Sequence, residues 1–484
     1  MATAPISAPK QRTFFGHPSM LANLFSVEMW ERFSFYGMQV VMLLYLYSSI
    51  DKGGLGIEKA TAAGIIGAYG GTVYLMAILG SVLGDRLIGP ERALFYSAIT
   101  IMVGHAALAL VPGVAGVAIG LILVAVGSGV LKTNASALVA SLYKDGDPLR
   151  DAGFTIFYIG VNTGAFFGPL LTGWLRVEQG FHMAFGAAAI GMALGLIQYA
   201  LTRKNLPASV HEVANPFTPA QRNGFYASLV AIIAVIALAV TFGIVTPANL
   251  KNWVMGIIAL AAVALFVQML SSKKVTGEER SRVYAFIPLW IANAVFFGLY
   301  QQQFTVIELY ADERLNRHVG SWEMPTEWVN SINPVFIMIF GVVFTAIWTK
   351  MGERQPSSTT KFSLGLVLLG AGFLLFITQQ GVASVALYWI VLILFVITIA
   401  ELVFSPIGTS FATKIAPKQY RVSMLALYFT SVAMGTVLSG WFAQFYSHEN
   451  EVPYFVAMGV LAIGTGVLLA ACHKPLQKLM AGVR

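Results

Sequence analysis

Leu24-Phe-Ser-Val-Glu28-Met-Trp-Glu31-Arg32-Phe-Ser-Phe-Tyr36-Gly-Met-Gln39-Val-Val-Met-Leu-Leu-Tyr-Leu-Tyr47 is the stretch that decides how this chain folds. As a helix it is long enough to cross about 30 Å of hydrocarbon, yet it holds two acids and a base. Glu28 and Arg32 are four residues apart and Glu28 and Glu31 three, so all three can share one helix face. That face cannot meet lipid; it lines a cavity or a helix interface. The whole chain has the same character. Charged residues are 11% of its 484, against roughly 25% in an ordinary soluble domain, and mean hydropathy is +0.74. A soluble globular protein is excluded, and the 57% hydrophobic and 12% aromatic content excludes disorder. Cys472 is the single cysteine, which excludes an internal disulfide framework and a Cys-cluster metal site.

Apolar stretches of spanning length recur, with short polar breaks, near 21–49, 62–83, 92–112, 115–141, 152–173, 182–201, 223–243, 250–270, 283–308, 328–349, 362–379, 385–412, 421–446 and 453–472. An even number of fourteen places both termini on one side. With a cytoplasmic N-terminus, 22 of the 30 Lys and Arg fall in cytoplasmic segments and 6 outside, with Arg32 and Lys132 inside spans. This is the positive-inside pattern, so the +8 net charge sets topology and implies no nucleic-acid partner. Residues 1–20, with Lys10 and Arg12, read as a cytoplasmic tail rather than a cleavable signal peptide, and 474–484 as a second cytoplasmic tail. The two spans at 223–243 and 250–270 contain no charge except Lys251 at the edge of the second, and read as a lipid-facing hairpin within a linker segment, 203–282. The expected fold is an all-α membrane protein: six-helix bundles at 21–202 and 283–473 around a central cavity, with the hairpin inserted between them.

Two further charges lie deep in spans. Lys132 occurs in Gly127-Ser-Gly-Val-Leu-Lys132-Thr-Asn134, and Glu401 in Glu401-Leu-Val-Phe-Ser405-Pro406. These groups either pair to hold helices together or serve a ligand. Desolvation offsets much of a buried pair's attraction, which weakens the first reading. Arg32 and Lys132 suit a carboxylate and Glu401 an ammonium, so the set fits a ligand charged at both ends, and a buried carboxylate suits a proton. Tyr36, Tyr69, Tyr158, Asn162, Asn293, Gln301, Gln302 and Asn333 add polar groups, each with a helix-bonding alternative. Pro169, Pro288, Pro334 and Pro406 are expected to interrupt helices. No His-Glu-x-x-His, paired-aspartate or nucleophile motif points to an enzyme, and no cofactor is implied beyond protons as coupling ion. His105 reads as helix packing. A simple anion, such as nitrate or an organic acid, or a drug is the competing substrate class, and Glu401 argues against a simple anion.

Five stretches resemble a known family. Glu28-x-x-Glu31-Arg32-Phe-x-Phe-Tyr36-Gly is similar to the first-helix signature of the proton-dependent oligopeptide transporters of the major facilitator superfamily. Gly-Val-Leu-Lys132-Thr-Asn134, Phe157-Tyr158-Ile-Gly-Val-Asn162-Thr-Gly164 and Glu401-Leu-Val-Phe-Ser405-Pro406-Ile-Gly408 resemble its fourth-, fifth- and tenth-helix motifs. Gly80-Ser-Val-Leu-Gly84-Asp85-Arg86-Leu-Ile-Gly89 resembles the superfamily's second loop motif. The resemblance implies a monomeric, proton-driven importer of di- and tripeptides in the plasma or inner membrane. It implies proton coupling by Glu28, Glu31 and Arg32, with Glu28 near Lys132. Peptide contacts would come from Arg32, Lys132, Asn162, Asn333, Glu401 and Ser405, in a cavity shaped by Tyr36 and Tyr69. Asp85 and Arg86 would sit at a cytoplasmic gate. The chain departs from the pattern at Phe35, at Tyr428, and at Gln39 and Gln301, where many members carry an Arg and a Glu that pair. Losing both keeps charge balance and implies an outer gate closed by neutral hydrogen bonds or packing. Proton coupling then rests on the first-helix cluster: Glu28→Gln is expected to abolish pH-driven accumulation and preserve counterflow, and full accumulation with normal counterflow would contradict that assignment.

Overall fold

A chain solvated by hydrocarbon must close its backbone hydrogen bonds within each segment, and helices do so. The computed structural model describes residues 13–144, 147, 149–213 and 215–480. Lys10, Arg12, most of the 1–20 tail and the end of the 474–484 tail, with Arg484, lie outside the described residues. The first six long helices are α1 (Met20–Tyr47), α2 (Lys59–Val82), α3 (Pro90–Leu110), α4 (Gly113–Ser141), α5 (Leu149–Gln179) and α6 (Phe181–Thr202). The inserted hairpin is α7 (Pro219–Thr241) and α8 (Leu250–Ser271). Then follow α9 (Gly277–Tyr300), α10 (Val306–Arg314), α11 (Ile332–Met351), α12 (Ser358–Leu375), α13 (Leu387–Ile415), α14 (Arg421–Phe442), α15 (Glu451–Ala471) and the short α16 (His473–Leu479). Among the described residues 13 helical stretches are long and apolar enough to cross a membrane. α1 has the length, 28 residues, but carries the three charges, and with it the spans number the expected fourteen.

Within the first bundle α1 packs on α5 and α6, α3 on α4 and α6, and α2 on α4. In the second, α12 packs on α13 and α15, α9 on α14, and α11 on α13. The bundles meet along α2–α14 and α5–α11. α7 buries none of its residues, as a lipid-facing helix should. α8 does not share that character: it lies against α2 and α14, burying Val254, Ile258, Ala262 and Met269, and so straddles both bundles.

Three differences from the sequence reading have a clear local cause. α9 begins at Gly277 rather than 283, because Thr276 and Glu279 form a reciprocal capping box that starts the helix in its polar turn. The span expected at 283–308 is broken: a 3₁₀ turn, Gln301–Phe304, separates α9 from α10, and Thr305 takes φ −133° and ψ −93°. Gln302 is held there by α15, its Oε1 accepting from the Tyr454 hydroxyl at 2.9 Å. The four prolines do not interrupt helices. Pro169, Pro288 and Pro406 lie inside α5, α9 and α13, and Pro334 sits in the first turn of α11, where no backbone donor is needed.

α1 and α5 approach at glycines. A Cβ on Gly164 would lie 2.2 Å from the Met29 carbonyl oxygen, and one on Gly37 would lie 2.8 Å from the Thr172 methyl. This contact holds the charged turn of α1 in place. Gly164→Val should therefore destabilise the protein by about 1–3 kcal/mol, read as a lower melting temperature in detergent; an unchanged midpoint would show that the helices part without cost.

Candidate functional site: a cavity between the bundles

A cavity of about 410 Å³ lies between the bundles. Its first wall carries Glu28, Arg32 and Tyr36 from α1, Tyr74 from α2, Lys132 from α4 and Asn162 from α5. Its second carries Tyr300, Gln301, Asn333, Glu401 and Ser405. One wall thus presents two cations beside the acid Glu28, and the other a single carboxylate.

Arg32 is shared. Its Nε donates to Glu28 Oε1 at 3.0 Å and lies 2.8 Å from Glu31 Oε2. All three residues are buried, while Glu28 Oε2, Glu31 Oε1 and Arg32 Nη2 have no hydrogen-bond partner. Two acids compete for one guanidinium, so the cluster has capacity for a proton or for an anion that draws Arg32 away. On the opposite wall Glu401 Oε2 accepts from the Asn333 amide at 3.3 Å. That amide also donates to Thr398 at 2.9 Å, and Tyr300 donates to Asn333 Oδ1 at 3.3 Å. Asn162 donates to the Tyr158 carbonyl at 3.0 Å. Among the described residues no cation pairs with Glu401.

The structure corrects several expected positions. Lys132 does lie on the same wall as Glu28, as expected, but among the described residues the two form no ion pair; the Lys132 Nζ sits 4.2 Å over the Tyr74 ring. Glu28 is already engaged by Arg32, and the aromatic face supplies the partner the ammonium needs. Tyr69 does not line the cavity. It is buried against Phe35, the two rings stacked at 5.8 Å, and neither ring lines the cavity. Gln301 faces the cavity, whereas Gln39 is buried off it with Oε1 unpartnered, and no hydrogen bond joins the two among the described residues. Asp85 and Arg86 lie in a π-helical turn, Leu83–Ile88, away from the cavity. Their carbonyls accept from Asn215 and Phe217 of the linker, and Arg86 lies 5.0 Å over the Phe217 ring. Tyr74, Gln303 and Asn330 line the cavity and were not singled out from sequence; their only signal was a polar atom within an apolar run.

The bundles are tied at the end away from the chain termini. Arg176 of α5 donates through Nε and Nη2 to both oxygens of Glu327, in the 3₁₀ turn Thr326–Ser331. Tyr47 donates to Asp312 at 2.5 Å, and Lys59 pairs with Glu313. Trp328 donates to the Leu170 carbonyl at 2.9 Å, Ser331 to that of Phe166 at 2.8 Å, and Tyr36 stacks on Phe304 at 5.6 Å. Among the described residues no side-chain hydrogen bond or ion pair joins the bundles at the other end. The cavity is closed on one side only. The expected neutral closure is therefore corrected: charge enters through Arg176, Lys59 and the acids of 308–327, all at span edges where sequence treats charge as ordinary.

Residues 91–467 match the model of the POT family. The chain belongs to the POT family. A di-/tripeptide transporter of Lactococcus lactis subsp. cremoris is 35% identical, over 98% of this chain and 99% of the relative. An uncharacterised transporter of Bacillus subtilis is 38% identical, over 99% and 98%. Among solved structures, a peptide transporter POT in complex with sulfate is 40% identical with a TM-score of 0.93, covering 97% of each chain. A POT family transporter in complex with 5-aminolevulinic acid is 34% identical with a TM-score of 0.90, covering 96% of this chain and 98% of that one. This POT-family member is accordingly a multi-pass membrane protein of the major facilitator fold and a secondary active transporter rather than an enzyme.

The shared guanidinium yields a test. Arg32→Met strands two buried acids and should cost about 3–5 kcal/mol, seen as a large fall in melting temperature. Adding Glu31→Gln should recover part of that loss; a double variant no more stable than Arg32→Met would show that the acids are not competing for the arginine.

Proposed function

We propose that this chain is a proton-coupled symporter that imports di- and tripeptides by alternating access. The observation that carries this reading is the opposition of charge across one cavity, with Arg32 and Lys132 on one wall and Glu401, buttressed by Asn333, on the other. A peptide has one carboxylate and one ammonium, and this arrangement serves both ends while leaving side chains to pocket shape. Arg32 and Lys132 take the carboxylate, Glu401 the amino end, and Asn162, Asn333 and Ser405 the backbone. Tyr36 shapes the wall, while Tyr69 stands behind it, stacked on Phe35. The relatives named as di-/tripeptide transporters support the substrate class, and 5-aminolevulinic acid, bound by one solved relative, also carries an amine and a carboxylate.

Protons act at the shared guanidinium. A proton on Glu28 or Glu31 loosens Arg32 toward a carboxylate; its loss returns Arg32 to both acids and releases the peptide. The end bearing the termini is assigned to the cytoplasm of the plasma or inner membrane, on the weight of 22 of 30 cations. The closed end is then the outer gate, where Gln39 and Gln301 are its neutral members, and Asp85 and Arg86 belong to the cytoplasmic gate through the linker they hold. We assign the working unit as a monomer without a cofactor.

Proteoliposomes with an imposed pH gradient, acid outside, should accumulate labelled dialanine, and mixed dipeptides but not nitrate should compete. No uptake or no competition by dipeptides would overturn the reading. Glu401→Ala removes a charge-assisted contact of about 1.5–3 kcal/mol and should weaken peptides with a free amino end about 10- to 100-fold, with little effect on N-acetylated ones. Equal loss for both would refute the ammonium role.

A further inference from the structure

The outer closure buries an acid without a counter-charge. Glu308 of α10 is fully buried. One of its oxygens accepts from the Asn330 amide; the other, Oε1, has no partner, and neither has Asn330 Oδ1. The charged groups that reach Glu308 are Glu327 and Asp312, both acids, and Arg176. Arg176 is committed through two hydrogen bonds to Glu327. Asp312 accepts from Tyr47 of α1 and from Thr326, and lies 3.8 Å from Arg317. Arg314, the cation of α10, is turned away to Glu451 at 3.4 Å and the Gln379 carbonyl. The 3₁₀ turn before α10 offers only glutamines and Phe304.

An ionised Glu308 in this closure would be a buried carboxylate between two acids, a cost of several kcal/mol. A proton removes that cost. It also supplies a missing donor: a proton on Oε1 gives that unpartnered oxygen an O–H to donate, while Oε2 keeps its hydrogen bond from the Asn330 amide. An open space reaches the charged neighbours of Glu308. A second cavity of about 410 Å³, lined by Ser48, Lys52, Arg176, Asp312, Arg317 and Glu323, reaches Arg176 and Asp312 from the closed end.

We propose that Glu308 is a proton-binding site of the outer gate, separate from the first-helix cluster, and that closing this gate takes up a proton there. Glu308 lies among acids tied across the bundles, Glu327 to Arg176 and Asp312 to Tyr47, so parting the bundles would open its surroundings to water and the closed form would bind the proton more tightly. By linkage, acid on the outer face shifts the population toward the closed gate and alkali toward the open one. This rests on the orientation given above but not on the identity of the substrate.

The test needs no substrate. In a Cys472→Ala background, which removes the single cysteine, Ala165→Cys places a thiol in the central cavity behind the gate. An impermeant maleimide is added outside right-side-out vesicles across a pH series. Labelling is normalised at each pH to Lys52→Cys, exposed on the outer side, which cancels the reagent's own pH dependence. Normalised labelling should fall as the outside is acidified. Glu308→Gln should lose this dependence and stay at the low acid value, and Glu308→Asp should keep it with a shifted midpoint. No pH dependence in the parent, a Glu308→Gln variant that tracks the parent at every pH, or an unchanged midpoint in Glu308→Asp would each overturn the site. Dialanine counterflow by the same variants reports folding. Absence of counterflow from every protein, with the labelling pattern intact, would remove the peptide reading and leave the proton site standing.

Discussion

One guanidinium shared by two carboxylates on a single turn of α1 constrains everything around it. Arg32 contacts both Glu28 and Glu31 within 3.0 Å, in a segment otherwise apolar. A net acid in hydrocarbon is costly, so the turn must face protein, and α1 is enclosed by α5 and α6. The enclosure works because the facing helix is stripped to backbone at Gly164 and Gly168, which brings α5 onto the carbonyls of Met29 and Phe33. Burial of the charges and close packing of the helices are thus one requirement.

The same constraint separates the two ends of the molecule. At the closed end polar ties cross from one bundle to the other, and several are side chain to backbone carbonyl, as with Trp328 to Leu170 and Ser331 to Phe166. Such bonds demand a fixed approach of whole helices rather than a chance meeting of flexible chains. The break at Gln301–Thr305 makes the approach possible. It separates α10, which carries Glu308, Asp312 and Glu313, from the long α9, so the gate elements can be set apart from the helix that packs on α14.

Sequence exposed the parts of this design in which a residue contradicts its neighbourhood. Glu28, Glu31, Arg32, Lys132 and Glu401 stand out because charge within an apolar span has no neutral explanation, and the fourteen spans follow from hydropathy. What stayed hidden has the opposite property. Arg176, Glu308 and Glu327 lie at span edges, where charge is ordinary and gives no sign of burial. Tyr74 is an unremarked aromatic until Lys132 is seen over its ring. Phe35 and Tyr69 occupy one stack, and only three-dimensional order shows that neither ring lines the cavity. Helix breaks fared likewise: proline marks a missing donor, but helices α5, α9 and α13 carry theirs intact, while the actual break falls on glutamines held by α15.

Gln39 and Gln301 gain a different meaning from the charges around them. Both are neutral, and the ionic ties between the bundles lie elsewhere, at Arg176–Glu327 and Lys59–Glu313. An ion pair deep between two bundles must be desolvated each time they close, whereas one beside an aqueous cavity keeps part of its hydration. Arg176 retains 21% of its side-chain exposure while Glu327 retains none, so this pair is solvated from one side only. A tie of that kind holds the bundles together and still lets water in to part them, which a gate that must open on every cycle requires.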